Sequence, residues 1–102
     1  MLNLKDCLER LNEERFIDRS DVPDRVASAN VWHAIVSFPG CLGDSHSIAR
    51  SREDALSSVE YWLDEDGYSP RYVRGRLRRF GLCYLRDGRV ITLDRHALSD
   101  CF

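Results

Sequence analysis

The chain has 102 residues, with 15 basic and 17 acidic side chains and a hydrophobic fraction of 43%. This length predicts one domain over residues 1–102, and the near balance of charge excludes a typical disordered tail. No apolar run approaches the roughly 18 residues of a membrane span, and the charged N-terminal segment lacks the apolar stretch of a signal peptide. We therefore expect a soluble cytoplasmic protein that does not contact a membrane.

The charge is unevenly distributed along the chain. Residues 1–30 carry a net charge of −2, residues 31–66 carry −5 and residues 67–102 carry +5. Such asymmetry is typical of proteins that recognise partners electrostatically. Two alternatives remain open: the acidic and basic regions neutralise each other within the fold, or each region meets a partner.

The first half of the chain predicts helical and then extended structure. Asn3 can cap a helix near 3–16, which is followed by a turn and a short helix. Two strands are predicted within 31–50. In the first strand, alternation places Trp32, Ala34, Val36 and Phe38 on one face and Val31, His33, Ile35 and Ser37 on the other.

The second half begins with two predicted helices. Ser51 is a good helix cap, and apolar residues recur at helical spacing after it. Together these two signals predict a helix near 52–66. Ser69, followed by proline, starts a second helix near 70–80, and Gly81 ends it.

A hairpin over 82–94 completes the predicted elements. Asp87 and Gly88 lie between two β-rich runs, which is a strong hairpin signal. With a two-residue turn, Arg86 and Arg89 would stand opposite each other, on the same face as Tyr84 and Ile91. The order of the elements predicts an α+β fold, in which a small antiparallel sheet packs with helices.

The cysteines and histidines lack the paired spacing of structural zinc sites. These residues are Cys7, Cys41, Cys83, Cys101, His33, His46 and His96. We therefore predict no metal, no cofactor and no disulfide. The sequence also lacks a nucleophile elbow, a phosphate-binding glycine loop and a dinucleotide fingerprint, so we predict no catalytic residues and no enzyme. The remaining enzymatic alternative is a metabolic or redox enzyme with a reactive thiol.

The helix near 70–80 has a polar side made almost entirely of arginines. Arg71, Arg74 and Arg78 share one face, with Arg79 at its edge and Tyr72 at its flank. Guanidinium groups in such a stripe can bind a phosphate backbone. With the hairpin arginines added, the predicted nucleic-acid-binding residues are Arg71, Arg74, Arg78, Arg79, Arg86 and Arg89.

The helix near 52–66 carries an acidic stripe. Acidic residues accumulate at its C-terminal end, where the helix dipole disfavours them. Negative charge at this unfavourable end of a helix suits docking onto a basic surface of a partner. The alternative interpretation is that these acidic residues form an ordinary solvated face. The predicted partner-binding residues are Glu53, Glu60, Asp64 and Asp66.

One stretch resembles a known family. FPGC at Phe38–Cys41, a short strand and SREDALSSVEYWLDED at Ser51–Asp66 resemble the strand, Pro-Gly-Cys turn and helix of HicB-like antitoxin domains. The likeness covers about a third of the chain and implies a toxin-binding role. In length, α+β content and segregated charge, the chain is also similar to small phage anti-CRISPR proteins.

The sequence thus leads to two functional hypotheses. The first is a small bacterial or phage protein, without enzymatic activity, that inhibits or regulates a protein or nucleoprotein complex through the acidic helix. The alternative is a nucleic-acid-binding or antitoxin-type regulator that uses the Arg-rich helix. The oligomeric state is left open.

Overall fold

A four-stranded antiparallel sheet forms the centre of the protein in the computed structural model, which describes residues 1–38, 40, 44–64 and 67–102. The strands are β1 (Asn30–Ser37), β2 (Ser45–Ala49), β3 (Leu82–Tyr84) and β4 (Val90–Ala97). Their order across the sheet is β2-β1-β4-β3, and every neighbouring pair is antiparallel. The long strands β1 and β4 lie in the middle, so the two short strands form the edges.

Helices pack on both faces of this sheet. They are α1 (Leu4–Asn12), α2 (Asp24–Ala27), α3 (Arg52–Asp64) and α4 (Pro70–Phe80), with 3₁₀ turns at Arg19–Asp21 and Leu98–Cys101. The pair α3 and α4 covers one face, and α1, α2 and the C-terminal 3₁₀ turn lie on the other. The predicted α+β fold is confirmed. None of the helices within the described ranges combines the length and the apolar character needed to cross a membrane.

The predicted helix starts are confirmed by their caps. The Asn3 side chain accepts a hydrogen bond from the Asp6 amide at 2.8 Å. Ser51 and Ser69 cap α3 and α4 in the same way, through their hydroxyl oxygens. Each cap satisfies a backbone donor that has no partner inside the helix, which fixes where the helix begins.

Helix α1 ends four residues earlier than predicted. The Asn12 carboxamide accepts a hydrogen bond from the Ile48 amide at 2.8 Å and donates one to the Ile48 carbonyl at 2.9 Å. Two residues later, Glu14 adopts a left-handed backbone with φ of 57°. The contact of Asn12 with the edge strand β2 therefore ends α1 at this point, although Glu13 and Glu14 are good helix formers.

The alternation predicted for β1 divides the core into two clusters. Trp32, Ala34 and Val36 face α3 and α4, whereas Val31 faces α1. The buried residues of the larger cluster are Ala34, Val36, Ala55, Leu56, Val59, Leu63, Val73, Leu77, Cys83, Leu85, Ile91 and Leu93. Those of the smaller cluster are Cys7, Leu8, Leu11, Ile17, Val22, Ala27, Val31, Ile48 and Leu98.

The hairpin is confirmed, but its predicted turn is wrong. The Leu85 amide bonds to the Arg89 carbonyl at 2.8 Å, and the Gly88 amide bonds to the Leu85 carbonyl at 3.1 Å. The loop therefore has three residues, with Gly88 in a left-handed conformation, φ 93°. Arg89 faces Leu85 rather than Arg86, so the predicted clash of two arginines does not occur. Tyr84 lies on the face opposite to Ile91.

Arg89 is buried, at 7% exposure, where the sequence suggested a solvent-facing cation. Its Nε donates to the Asp87 carboxylate at 2.7 Å. The guanidinium lies over the rings of Phe38 and Tyr68, at 5.1 and 5.3 Å from their centroids. This arginine therefore packs as a structural group on the inner side of the hairpin.

Two predicted features lie outside the described residues. They are most of the predicted Pro-Gly-Cys turn, with Pro39 and Cys41, and the end of the helix predicted near 52–66, with Glu65 and Asp66.

Candidate functional site

Helices α3 and α4 are joined by ion pairs between the predicted acidic and basic residues. Arg74 lies between two glutamates, with its Nη1 2.9 Å from the Glu53 carboxylate and its Nε bonded to the Glu60 carboxylate. Arg78 donates from Nη2 to both oxygens of Glu53, each at 2.7 Å. At this contact the acidic middle and the basic end of the chain neutralise each other.

The pairing holds Glu53 in its charged form. Hydrogen bonding from Arg78 lowers the pKa of Glu53 below its usual value, and the positive charges of Arg78, Arg74 and Arg52 add to this effect. Two of the four predicted partner-binding acids, Glu53 and Glu60, are therefore engaged within the protein. Asp64 is exposed, and Asp66 lies outside the described residues.

Three exposed arginines of α4 lack an acidic partner among the described residues. Arg71, Arg76 and Arg79 are exposed and make no ion pair with any residue that the structure describes. The guanidinium groups of Arg76 and Arg79 lie 4.6 and 5.2 Å from the centroid of the Phe80 ring. This stacking orders two cationic groups without neutralising them.

Tyr72 continues this side of α4 towards the hairpin. Tyr72, Arg76 and Arg79 are spaced at i, i+4 and i+7, so they follow one stripe along the helix. Tyr72 also lines an open groove of about 490 Å³ between the start of α4 and the hairpin, together with Tyr84 and Arg86. Tyr72 and Tyr84 are 58% and 67% exposed, which is high for large aromatic side chains. We call this set the aromatic–arginine surface; it comprises Tyr72, Arg76, Arg79, Tyr84 and Arg86.

The structure thus separates the six predicted nucleic-acid-binding arginines into two groups. Arg74, Arg78 and Arg89 have partners within the protein, and Arg71, Arg79 and Arg86 are exposed. Arg76 and Tyr84 were not among the site residues predicted from the sequence. Arg76 could have been found from its spacing to Tyr72, whereas the position of Tyr84 depends on the hairpin register.

A second group of polar residues lies on the sheet face that carries α1. His33 Nδ1 is 3.2 Å from His96 Nε2, and the Cys101 sulfur is 3.6 Å from His96 Nδ1. The His33 and His46 rings are in edge-to-face contact, with centroids 5.4 Å apart. Imidazole and thiolate groups are ligands for transition metals, so this group could hold a metal ion.

Burial determines the protonation of this group. It lowers the pKa of His33, and repulsion from His46 and then His96 adds to the shift. Burial also raises the pKa of Cys101 to about 11, with a further contribution from the charge of Asp100. Both side chains are therefore neutral at neutral pH.

No family model, curated protein or solved structure matches this chain. The function is therefore inferred from the two sites and their chemistry.

Proposed function

We propose that this protein is a nucleic-acid-binding regulator without catalytic activity, which binds single-stranded nucleic acid through the aromatic–arginine surface. The observation that supports this function is the combination of two exposed tyrosines with three arginines that lack acidic partners among the described residues. A surface of this composition offers cations for phosphates and flat rings for bases.

The arginines supply the electrostatic part of the proposed interaction. Arg76 and Arg79 are held by stacking on Phe80, so little side-chain freedom is lost when they meet phosphates. Arg86 lies across the groove from α4 and would contact a second stretch of the backbone. Binding three phosphates releases counterions, which makes the affinity strongly dependent on salt.

The tyrosines favour a single strand over a duplex. Tyr72 and Tyr84 line the same groove, and the bases of a single strand are unpaired and able to stack on such rings. In a duplex the bases are stacked on one another and inaccessible to the faces of these rings. The same surface would therefore bind a duplex more weakly, through phosphate contacts alone.

Fluorescence anisotropy with labelled single-stranded RNA and DNA tests this function. We expect binding at low salt, with a slope of log affinity against log salt of about −2, because three phosphates at about 0.7 each are neutralised. A duplex of the same length is expected to bind more weakly. An absence of binding to both RNA and DNA at low salt would contradict the proposal.

Substitutions can assign the binding to the proposed surface. Tyr84→Ala is expected to weaken binding by roughly tenfold, since one base stack contributes about 1–3 kcal/mol. The matched control is Tyr61→Ala, because Tyr61 is 72% exposed on α3 and lies outside the groove. Equal losses in the two variants would indicate that binding does not use this surface.

The arginines are tested with a second pair of variants. Arg76→Gln combined with Arg79→Gln is expected to reduce both the affinity and the steepness of its salt dependence. Arg25→Gln combined with Arg50→Gln removes the same amount of positive charge from exposed positions outside this surface. An equal effect of the two pairs would indicate a general charge effect rather than a site.

A second candidate function is the inhibition or regulation of a protein complex through the acidic face of α3. The observation that favours it is Asp64, which is exposed at the C-terminal end of a helix that has no basic residue in its last turn. A basic partner surface would relieve this unfavourable placement. Such a partner would also compete with Arg74 and Arg78 for Glu53 and Glu60.

The two candidate functions predict different effects of nuclease treatment on partner binding. A protein partner bound through α3 is retained after nuclease treatment and lost in the combined variant Glu53→Gln, Glu60→Gln and Asp64→Asn. A complex bridged by nucleic acid is lost on nuclease treatment and retained in that variant. A role as an antitoxin-type regulator or as an inhibitor of a nucleoprotein complex, which the sequence resemblances imply, is compatible with either surface.

A further inference from the structure

We propose that His33, His96 and Cys101 form a binding site for a divalent transition metal ion, with Zn²⁺ as the ion best suited to their chemistry. One ligand atom from each of the three residues lies within 4.8 Å of the other two. Four-coordinate zinc holds nitrogen and sulfur ligands about 3.3–3.7 Å from one another, so side-chain rotations must bring the three ligand atoms closer together to close the site.

The sheet places three histidines in a diagonal row. His46, His33 and His96 come from the neighbouring strands β2, β1 and β4. His33 is opposite Ile48 and Asp94, so His46 and His96 lie two residues away along the adjacent strands, on the same face. Cys101 is added by the 3₁₀ turn that follows β4.

An unpaired buried atom points independently to a ligand. His33 Nε2 is buried and has no hydrogen-bond partner among the residues that the structure describes. A buried polar nitrogen without a partner destabilises the fold, and a metal ion bound to this ring would supply the partner that the nitrogen lacks. The His96 Nδ1, which faces the Cys101 sulfur, also lies 3.2 Å from the Ala97 carbonyl, so coordination of a metal ion through this nitrogen would replace that contact.

The ligand types decide the class of metal. Two imidazoles and a thiol are borderline to soft donors, which favour Zn²⁺ and Co²⁺ over Mg²⁺ and Ca²⁺. Binding converts the Cys101 thiol into a metal-bound thiolate and releases its proton to solvent, so no oxidant or reductant is needed. A pocket of about 260 Å³ beside Cys101 and His46 gives the ion access from solvent.

The site leaves a fourth position to be filled. His46 is one further donor on this face, with its ring 5.4 Å from that of His33 and its Nε2 3.8 Å from the Glu14 carboxylate. Coordination by His46 would give a closed structural site that links three strands to the C-terminus, whereas water in this position would give an open one.

Titration of the reduced protein with Co²⁺ tests the proposal. We expect one equivalent to bind, with visible bands of tetrahedral cobalt and a near-ultraviolet band from thiolate-to-cobalt charge transfer. Added Zn²⁺ is expected to displace the cobalt and to abolish both signals. The proposal fails if the wild-type protein gives neither signal, or if cobalt binds without the thiolate band.

Two variants locate the ligands, and a third serves as the control. Cys101→Ser should remove the thiolate band, and His96→Asn should weaken cobalt binding at least tenfold. The matched control is Cys83→Ala, because Cys83 is a buried thiol in the cluster on the opposite face of the sheet. Far-ultraviolet circular dichroism checks that each variant is folded. A thiolate band that persists in folded Cys101→Ser would overturn the assignment.

Discussion

At the scale of single residues, Asn12 connects two elements that are distant in the chain. Its carboxamide accepts from the Ile48 amide and donates to the Ile48 carbonyl, so it occupies the exposed edge of β2 as a neighbouring strand would. We expect Asn12→Ala to destabilise the protein by about 1–2 kcal/mol, because the two hydrogen bonds to Ile48 and a third to the Leu8 carbonyl are lost. Urea unfolding measures this difference.

The control for Asn12 is Ser57→Ala. Among the described residues, the Ser57 hydroxyl bonds only to the Glu53 carbonyl of its own helix, and its loss should change stability by less than about 0.5 kcal/mol. If Asn12→Ala were as stable as this control, the contact with β2 would make no net contribution to folding.

Arg89 illustrates the limit of sequence reasoning at this scale. The Asp-Gly pair correctly predicted a hairpin, but two-residue and three-residue loops both accept this pair. The choice between them moves Arg89 from a position opposite Arg86 to one opposite Leu85. The rings of Phe38 and Tyr68 that cover Arg89 come from distant segments, and no local pattern reveals such contacts.

At the scale of elements, two glycines of the α4 region have opposite roles. Gly81 ends α4 with a left-handed φ of 67°, and a Cβ there would lie 3.1 Å from the Leu93 carbonyl oxygen. We expect Gly81→Ala to cost about 1–2 kcal/mol, because both the backbone conformation and the close approach oppose a side chain. Urea unfolding again provides the measurement.

Gly75 is the internal control for Gly81. It lies within α4, and a Cβ there would meet nothing within 4 Å. Gly75→Ala is expected to stabilise the protein by about 0.5–1 kcal/mol, since alanine restricts the unfolded chain and favours the helix. Changes of the same sign in both variants would contradict the assigned roles.

The helices and strands were the part of the fold that could best be predicted from the sequence. Caps at Asn3, Ser51 and Ser69 are local signals, and each predicted helix start is confirmed. The end of α1 was predicted too late, because it is determined by the contact of Asn12 with β2, which lies 36 residues away. Local propensity is a weak guide wherever a tertiary contact ends the element.

At the scale of the whole molecule, the sequence could not decide which charged groups would meet. The acidic and basic helices were both recognised, but only packing shows that Glu53 and Glu60 face Arg74 and Arg78. The cluster of His33, His96 and Cys101 could not be predicted from the sequence for the same reason. Its ligands come from separate strands, whereas sequence searches for metal sites depend on short spacings within one segment.

The contact between α3 and α4 makes stability depend on pH. The pKa of Glu53 is lowered in the folded protein from a reference value of 4.5, mainly by hydrogen bonding from Arg78. A lowered pKa means that the contact stabilises the protein above about pH 4.5, and that this contribution is lost as the pH falls through the folded value. We therefore expect Glu53→Gln to unfold at a lower temperature than wild type at neutral pH.

This difference should disappear in acid, where protonated Glu53 resembles glutamine. Thermal unfolding of both proteins from about pH 7 to about pH 2 measures it. Added salt at about 1 M should also reduce the difference at neutral pH, because the carboxylate is partly exposed and screened. The control is Glu9→Gln, an exposed glutamate of α1 that makes no ion pair with a described residue. A difference that stayed constant down to low pH would show that Glu53 acts through packing, and that its charge does not hold α3 against α4.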